Sequence, residues 1–345
     1  MRLRQLLLLA FVCATAAAKA APEPTAPAAR PYRIMMMLYR GETDAEKGFM
    51  DYFKRRKIPA EFIIRDAQAD PARIAEFVLE ARQSKPDLIY TFGTTVTAAV
   101  AGLEGATDAA RHITDIPIVF DIVADPVGAG LVSSLQSSGR NLTGASHMVP
   151  LRAQLQALDA MRRTRSLGVI YNPNERNSVL AVRELEKTAP SLSLSLQLMP
   201  LKVDGAKQPT VDDIGVAMRA LVARKPEFIY IPSDSFLIKH AGVAVRAAHG
   251  AGIPVFAATE APIREEGALF GLVSTYANVG ELAAYKADQI LSKKMAPAQI
   301  PIDSLKRFTY LVNMNAAKSL GIYPPLSVMK FAELITPAAT IDARE

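Results

Sequence analysis

Residues Lys85–Val100 read KPDLIYTFGTTVTAAV, and the rest of the chain repeats the pattern of this stretch. Its first half, Asp87 to Phe92, is short, apolar and rich in β-forming residues, which predicts a buried strand. Gly93 ends that strand, and Thr94 or Thr95 can cap a helix by accepting a hydrogen bond from a backbone N–H group. The apolar residues that follow share one helical face: Val96, Ala99, Val100 and Leu103. A strand therefore turns tightly into a helix whose first N–H groups can hold a carboxylate or another anion.

The same phrase occurs a second time, 140 residues further along the chain. Lys225–Ser235 reads KPEFIYIPSDS, in register with KPDLIYTFGTT. Two further pairs recur in the same order: RIMMMLYR (33–40) with SLGVIYN (166–172), and IPIVFD (116–121) with IPVFAA (253–258). These three recurring units of strand and turn predict two similar α/β lobes whose strand ends can face one another.

The length of the chain agrees with two lobes, because 345 residues are more than a single core usually holds. Predicted strands and helices alternate almost throughout, which indicates an α/β fold of two similar, doubly wound, parallel-sheet lobes. We expect lobe 1 to span residues 32–146 and about 275–305, and lobe 2 to span 147–274 and about 306–335.

Three segments mark the expected passages between the lobes and the end of the fold. NLTGASHM, residues 141–148, is predicted to be a strand at the first crossing, and the chain is expected to cross back within 269–275. A last strand at 308–313 precedes a helix that starts near Asn315.

Two loop-to-helix boundaries carry specific expectations. The strand that follows Ile116 ends in Asp125-Pro126, and a short helix is expected from there to Ser134. In the second lobe, Asn177 or Ser178 is expected to cap the helix after the first strand.

The N-terminus has the features of a secretory signal peptide, residues 1–20. Arg2 and Arg4 form a positively charged region, and Leu6–Ala18 is an apolar run too short to span a bilayer as a helix. The tripeptide AKA comes next as a small-x-small cleavage signal, so we expect cleavage near Ala20–Ala21 and export to the periplasm. A retained membrane anchor is the alternative, but the run lacks a further apolar turn.

The remaining chain shows no cysteine chemistry and no nucleic-acid footprint. Residues 21–31, APEPTAPAARP, form a Pro/Ala-rich linker. The single cysteine, Cys13, lies inside the signal, and a lipoprotein signal would need a small residue where Val12 stands. Without the signal peptide the chain has 37 basic and 34 acidic residues. Its densest basic run, KRRK at 54–57, fits the C-terminal end of a helix better than a nucleic-acid surface.

Motifs of catalysis are weak. The four histidines are scattered without metal-ligand spacing: His112, His147, His240 and His249. Ser146 and His147 are neighbours, and adjacent strand residues point to opposite faces, which makes them a poor nucleophile–base pair. No nucleophile elbow or phosphate-binding loop is present. We therefore expect no enzyme activity, no cofactor and no metal.

The polar turns are the candidate ligand site. Ligands of open parallel sheets bind beyond the carboxyl ends of the strands, and pockets favour the cleft between domains. Hydroxyls at a helix N-terminus suit a carboxylate, whereas aspartates and glutamates suit an ammonium group, so both together fit an amino acid. Each of these residue types is also an ordinary turn former. The candidate ligand-binding residues are Tyr39, Thr94, Thr95, Asp121, Asp125, Asn174, Asn177, Ser178, Asp234, Ser235, Glu260 and Tyr276.

Several segments together resemble a known family, the periplasmic substrate-binding proteins of ABC transporters in the tryptophan/tyrosine-binding, TrpX-like group. The resemblance covers roughly residues 32–322 and implies a type I periplasmic-binding fold, with three crossings between lobes and a ligand in the cleft. Its segments are IPIVFDIVADPVGAGLVSSL (116–135), GRNLTGAS (139–146), SLGVIYNPNERNSVLAVREL (166–185), FIYIPSDS (228–235), IPVFAATE (253–260) and YLVNMNAAKSLGI (310–322).

The resemblance also implies roles for individual residues. Thr94 and Thr95 match the family's small-hydroxyl turn, and Asp125 matches its Asp-Pro aspartate. The family's Asn-Ser pair and its lobe-two aspartate correspond to Asn177, Ser178 and Asp234.

Two loops depart from the family pattern. The first-strand loop, usually a turn that contains His-Pro, reads YRGET at 39–43, and an Ala-Ser-Asp-like turn reads ATE at 258–260. Both loops should contact the ligand, so an aromatic amino acid as ligand is implied by the family and not by these residues.

We thus expect a periplasmic solute-binding protein that captures a small polar organic ligand for an ABC permease in the inner membrane, acting as a monomer without nucleic acid. One alternative is a subunit of the same fold that presents its ligand to a membrane sensor kinase. Another is a periplasmic enzyme, which the missing nucleophile–base pair disfavours. A cytoplasmic repressor core is disfavoured by the signal peptide.

Overall fold

Two β-sheets, each packed against helices, organise the chain in a computed structural model that describes residues 30–205 and 208–336. The predicted signal peptide, residues 1–20, and residues 21–29 of the predicted linker lie outside the described residues. No helix in the described ranges is long and apolar enough to cross a membrane.

Lobe 1 denotes the first sheet with the helices that pack on it, and lobe 2 denotes the second. Lobe 1 begins with β1 (Tyr32–Leu38), α1 (Asp44–Arg55), β2 (Ala60–Asp66), α2 (Ile74–Ser84), β3 (Leu88–Phe92), α3 (Gly93–Ala101), β4 (Ile118–Val123) and β5 (Leu142–Ser146).

Lobe 2 continues with α4 (Leu151–Met161), β6 (Ser166–Tyr171), α5 (Arg176–Thr188), β7 (Ser195–Pro200), α6 (Val211–Ala223), β8 (Phe228–Ile231), α7 (Ser235–Lys239), α8 (Ala241–Gly250), β9 (Val255–Ala257), α9 (Ala261–Arg264) and β10 (Phe270–Val273). The chain then returns to lobe 1 for α10 (Tyr276–Leu291) and β11 (Asp303–Ser304). It ends in lobe 2 with β12 (Thr309–Asn313), α11 (Met314–Leu320), α12 (Leu326–Met329) and β13 (Ala332–Ile335).

The strand orders define the two lobes. The sheet of lobe 1 has the order β11-β5-β4-β3-β1-β2 and is parallel throughout. The sheet of lobe 2 has the order β13-β12-β10-β9-β8-β6-β7, and only its β10–β12 pair is antiparallel. The chain crosses between them three times, at 147–150, 274–275 and 305–308. The prediction of two parallel-sheet α/β lobes joined by three crossings is confirmed.

The packing of α10 explains how a helix that comes after a strand of lobe 2 becomes part of lobe 1. A β-carbon on Gly280 would overlap the carbonyl oxygen of Ala45, and one on Gly48 would overlap that of Ala277. Glycine at both positions therefore lets α1 and α10 approach closely. This contact fixes Tyr276, the first residue of α10, at the second crossing.

Two local predictions for lobe 1 are wrong. No helix follows Asp125-Pro126, where the chain forms turns instead, because Gly130 adopts a φ of 70°. Thr94 and Thr95 do not cap α3, which begins two or three residues earlier than these caps predicted, at Gly93 with Phe92 in the cap position.

Other differences concern the second lobe. Asn177 and Ser178 lie within α5 and not at its cap, since that helix already begins at Arg176 with Glu175 in the cap position. The short strands β11 and β13 and the helix α12 carry too few residues for a recognisable period, and the sequence did not predict them.

Candidate functional site

The strand ends of the two sheets meet at a cleft, and contacts between the lobes hold it on two sides. Lys239 of lobe 2 donates from Nζ to the carbonyl oxygen of Gln68 in lobe 1 at 3.3 Å. On another side, Arg176 of lobe 2 donates from Nη2 to the carbonyl oxygen of Gly128 at 3.2 Å. The polar turns of both lobes are thus brought together, as the rule for strand ends predicts.

Tyr276 lies at the centre of the cleft. Its backbone N–H donates to Glu260 Oε1 of lobe 2 at 2.6 Å. Its ring packs edge-on against Phe92 of lobe 1, with centroids 6.3 Å apart, and against His147 of the first crossing, with centroids 6.0 Å apart. Burial raises the pKa of its phenol to about 12, so the hydroxyl keeps its proton at neutral pH.

Arg40 lies after strand β1 and packs against the same aromatic group. Its guanidinium carbon lies 5.6 Å from the centroid of the Phe92 ring, a cation–π distance. Its positive charge lowers the pKa values of both Tyr276 and His147, which places the guanidinium close to both side chains. Within the described residues, Arg40 forms no ion pair.

His147 joins the first crossing to lobe 2. Its Nε2 lies 2.9 Å from Ser233 Oγ, in the turn after β8. Burial, and after it the charge of Arg40, lower the pKa of His147 to about 3. The imidazole is therefore neutral at physiological pH and can present an acceptor as well as a donor.

Two carboxyl groups of lobe 2 face Tyr39 of lobe 1. Glu175 accepts from the N–H groups of Ser235 at 2.8 Å and Phe236 at 3.4 Å, and Asp234 caps α7. Burial and the neighbouring Glu175 raise the pKa of Asp234. Burial and then the charges of these two carboxyl groups raise the pKa of Tyr39.

Unpartnered polar atoms concentrate along this cleft. The described residues contain ten buried side-chain nitrogen or oxygen atoms that have no hydrogen-bond partner within the protein. Six of them lie at the turns and crossings just described: Arg40 Nε, His147 Nδ1, Asn177 Oδ1, Thr259 Oγ1, Ser274 Oγ and Tyr276 Oη. Buried polar groups are normally hydrogen-bonded, so such a cluster is typical of a site that binds a polar molecule.

Two cavities lie on either side of this centre. The charged cavity, about 280 Å³, is lined by Arg40, Glu42, Asp44, Lys47, Lys239, Glu260, Arg264, Glu265, Glu266 and Tyr276, among others. The apolar cavity, about 210 Å³, is lined mainly by Met148, Val149, Pro150, Leu151, Leu180 and Ala181, with Asp125, Asn177 and Ser233 at its edge. A ligand with charged and apolar parts can use both environments.

Most of the predicted site residues lie at the cleft. Tyr39, Thr94, Asn177, Asp234, Glu260 and Tyr276 are buried there, and Thr95 and Ser235 are half-buried at the first turns of α3 and α7. Asp125 lines the apolar cavity and accepts from the Gly128 N–H at 2.8 Å, which stabilises its own turn.

Three predicted residues interact within their own lobes. Asp121 is fully buried, where it accepts from the hydroxyl of Tyr90 at 3.1 Å. Asn174 donates from Nδ2 to the Gly205 carbonyl oxygen at 2.8 Å. Ser178 is fully buried in α5, so its hydroxyl serves the interior of lobe 2.

The candidate list omitted Arg40, His147, Glu175, Ser233, Thr259 and Ser274. Ser233 and Thr259 stand in turns that the sequence identified as polar, and Arg40 stands in a loop that departs from the family pattern. His147 and Ser233 are 86 residues apart, and the sequence contains no signal for their pairing.

Known proteins resemble this chain along most of its length. The model of a family described as ABC transporter substrate binding protein matches residues 41–335. A tyrosine-binding protein from Clostridioides difficile is 27% identical over 286 residues, which cover 81% of this chain and 76% of that protein.

Solved structures show the same likeness. A conserved domain protein from Vibrio cholerae matches with a TM-score of 0.78 at 26% identity, covering 88% of this chain and 99% of that chain. An ABC domain from Streptococcus pneumoniae in complex with L-Trp matches with a TM-score of 0.77 at 22% identity, covering 89% of this chain and 100% of that chain. The second likeness shows the fold, which is the type I periplasmic-binding fold.

Proposed function

Since this chain belongs to the ABC transporter substrate-binding protein family, we propose that it captures an amino acid between its lobes and delivers it to an ABC permease in the inner membrane. Members of this family are binding proteins and not enzymes. Export by the signal peptide at 1–20 and action as a monomer in the periplasm are parts of the same proposal.

The observation that carries the proposal is the group of six buried, unpartnered polar atoms at the turns and crossings of the cleft. Arg40 contributes from lobe 1 and Thr259 from lobe 2, so a ligand that bonds to both would hold the lobes together. Closure of a two-lobed protein requires such differential contacts with the ligand.

The chemistry of the cleft supports an amphoteric ligand. Arg40 and the hydroxyl of Tyr276 can donate to a carboxylate. Glu175, Asp234 and the Asn177 Oδ1 atom can accept from an ammonium group. The tyrosine-binding relative and the structure in complex with L-Trp add support for an amino acid. Because micromolar affinity requires about −8 kcal/mol, apolar contacts such as those of the apolar cavity should contribute much of the binding energy.

The sensor-kinase alternative shares the same binding step and differs in the membrane partner. Nothing in the cleft favours it over an importer. The His147–Ser233 pair could suggest a nucleophile and a base, but His147 Nδ1 has no acidic partner to orient the ring.

The proposal is tested by a thermal-shift screen of the chain from Ala21 onward against the L-amino acids, with sugars and polyamines as other polar classes. A ligand at 100 times its dissociation constant should add about 2.7 kcal/mol to the free energy of unfolding and raise the Tm. Tyr276→Phe should reduce this rise, because the lost hydroxyl is buried without a hydrogen-bond partner among the described residues. The matched control is Tyr310→Phe, a half-buried tyrosine of β12. A screen in which no amino acid raises the Tm contradicts the proposal, as does a full response from Tyr276→Phe.

A further inference from the structure

We propose that Arg40, Thr259 and Tyr276 form a carboxylate subsite at one end of the cleft, and that Arg40 determines the specificity of this protein for ligands that carry a carboxylate. The inference rests on the proposed function, since it assigns one end of the same ligand. Each of the three side chains has a buried polar atom with no hydrogen-bond partner among the described residues: Arg40 Nε, Thr259 Oγ1 and Tyr276 Oη.

Among the described residues, Arg40 is a cation without an acidic partner. The charged cavity also contains five carboxyl groups, those of Glu42, Asp44, Glu260, Glu265 and Glu266. None of them pairs with Arg40 in the described residues, and two of them have other partners. Asp44 pairs with Lys47 at 2.9 Å, and Glu260 pairs with Arg264 at 2.9 Å.

The position of the Arg40 guanidinium is fixed without an ion pair. Its guanidinium lies over the Phe92 ring with 5.6 Å to the centroid, and its Nε is buried, which together restrict the planar group. A planar guanidinium that is already oriented suits two parallel hydrogen bonds to a carboxylate. Phe92 also stands in the cap position of α3, and no side chain accepts from the first N–H groups of that helix. The dipole of α3 therefore adds to the attraction for an anion at this place.

The two hydroxyls complete the donor set. Thr259 is 1% exposed and Tyr276 is 3% exposed, and the oxygen of each has no partner in the protein. Arg40 and Tyr276 line the same charged cavity, and Thr259 directly precedes Glu260, whose Oε1 accepts from the Tyr276 N–H at 2.6 Å. Each hydroxyl can donate, and a carboxylate accepts up to about four hydrogen bonds. The three side chains thus match an acceptor-only anion.

The opposite wall has the opposite chemistry, which sets the orientation of the ligand. Glu175 and Asp234 contribute acceptor oxygens, and Asn177 Oδ1 is an acceptor without a partner among the described residues, while its Nδ2 donates to Glu175 at 3.2 Å. His147 between the walls is neutral. An amino acid should therefore bind with its carboxylate toward Arg40 and its ammonium group toward Glu175.

The test compares Arg40→Met with Arg73→Met by isothermal titration calorimetry. Methionine keeps the aliphatic volume over the ring and removes the charge. Arg73 is the matched control, because it also stacks on a phenylalanine, Phe77, with 6.0 Å to the ring centroid, but does not line the charged cavity. The probes are L-tyrosine and L-tryptophan, their decarboxylated forms tyramine and tryptamine, and the simple carboxylates acetate, succinate and benzoate.

We expect Arg40→Met to weaken binding of the best carboxylate-bearing probe by about 10- to 100-fold, as the loss of a charged hydrogen-bond partner does. Binding of an amine without a carboxylate should change less than about threefold, and Arg73→Met should leave all affinities unchanged. Arg40→Lys should recover part of the loss, because the charge returns without the planar fork. The melting temperature of each variant without ligand checks that it folds.

The possible failures separate the two proposals. If the wild type binds L-tyrosine or L-tryptophan and Arg40→Met binds it equally well, the subsite is overturned and the cleft function stands. If the wild type binds only amines or other compounds without a carboxylate, it binds no amino acid, and both proposals are overturned. If the wild type binds no carboxylate-bearing probe and no amino acid, both proposals are overturned.

Discussion

The two copies of the repeated phrase, Lys85–Thr95 and Lys225–Ser235, are alike in the backbone of their strands and different in the helices to which they lead. Both begin with a lysine in the left-handed conformation, with φ of 47° at Lys85 and 52° at Lys225. Both continue into a fully buried strand that carries a fully buried tyrosine, Tyr90 in β3 and Tyr230 in β8. The differences lie in the helix starts and in the partners of the two tyrosines.

The two helices differ in whether side chains of the protein accept hydrogen bonds from the first backbone N–H groups of the helix. In lobe 2, Asp234 Oδ1 accepts from Leu237 N–H at 2.8 Å, while Glu175 accepts from Ser235 and Phe236. The first turn of α7 is therefore occupied by carboxyl groups of the chain itself. In lobe 1, no side chain caps α3. The uncapped N-terminus of α3 in lobe 1 can therefore attract an anion, whereas the carboxyl groups of lobe 2 can attract a cation.

The tyrosines differ in the charge that they contact. Tyr230 donates to Gln154 Oε1 at 2.9 Å, a neutral pair. The Tyr90 hydroxyl lies 2.7 Å from Glu46 Oε1 and 3.1 Å from Asp121 Oδ2. One hydroxyl has one proton, so both contacts can be hydrogen bonds only when one carboxyl group is protonated. Burial raises the pKa of Glu46 and that of Asp121, which favours a proton held in the core of lobe 1.

The largest effect should come from Asp234→Asn in lobe 2, whereas the same type of substitution at Asp121 in lobe 1 should have a small effect. Asp234→Asn should lower the free energy of unfolding by about 2–4 kcal/mol, because an amide N–H would then face a backbone N–H donor and the cap of α7 would be lost. Both Asp234 oxygens accept from backbone N–H groups, of Asn172 at 3.0 Å and of Leu237 at 2.8 Å. Asp121→Asn should change the free energy of unfolding by less than about 1 kcal/mol, since the amide can donate and accept toward Tyr90 as a protonated acid does.

Urea unfolding at pH 7 measures both values. The circular dichroism of each variant before unfolding serves as the control for a folded starting state. Equal losses in free energy of unfolding for Asp234→Asn and Asp121→Asn would contradict the view that Asp234 of lobe 2 caps its helix and Asp121 of lobe 1 does not.

Asp234 also shows where prediction from sequence ends. The strands of both phrases could be predicted because their apolar runs are local and recur, and the polar turns could be predicted because they come directly after those runs. An aspartate after a strand can bind a ligand or cap the next helix, and the choice depends on the residue at which the helix begins. For α3 and α5 that residue lies before the predicted cap, so the proposed caps were wrong.

Contacts between distant residues set a second limit. The contacts of Tyr90 with Glu46 and Asp121 span 44 and 31 residues, and no local pattern indicates them. The antiparallel β10–β12 pair arises because β12 enters lobe 2 from the third crossing, which the local alternation of strands and helices does not show. Arg40 was recognisable as a departure from the family, but its lack of an acidic partner is visible only in three dimensions.

The proton held by lobe 1 should make stability depend on pH. Because the native pKa values of Glu46 and Asp121 are raised, their contribution is complete below the unfolded values near 4 and is lost as pH rises through the native values. Relative to the wild type, Asp121→Asn should therefore gain in free energy of unfolding as pH rises from 5 to 9, because the wild type loses the contribution of its protonated carboxyl group and the amide does not titrate.

Urea unfolding across that pH range tests this slope. Tyr230→Phe is the matched control from lobe 2, because it removes a buried tyrosine hydroxyl whose partner, Gln154, does not titrate. Its curve should lie below that of the wild type and run parallel to it. An Asp121→Asn curve that also runs parallel would show that Glu46 and Asp121 hold no proton in this range.

The smallest effect should come from moving the acid of lobe 2 into lobe 1. Thr94 is the counterpart of Asp234 in the repeat, and Thr94→Asp places a carboxylate in the first turn of α3. The free energy of unfolding should rise by about 0.3–1 kcal/mol through the helix dipole. Affinity for L-tyrosine should fall, because the new carboxylate competes with that of the ligand. Thr94→Ala is the control, because it removes the hydroxyl without adding charge. Only Thr94→Asp should combine a higher free energy of unfolding with a lower affinity for L-tyrosine. If both variants shift urea unfolding and calorimetric affinity alike, the free terminus of α3 is not what distinguishes lobe 1 from lobe 2.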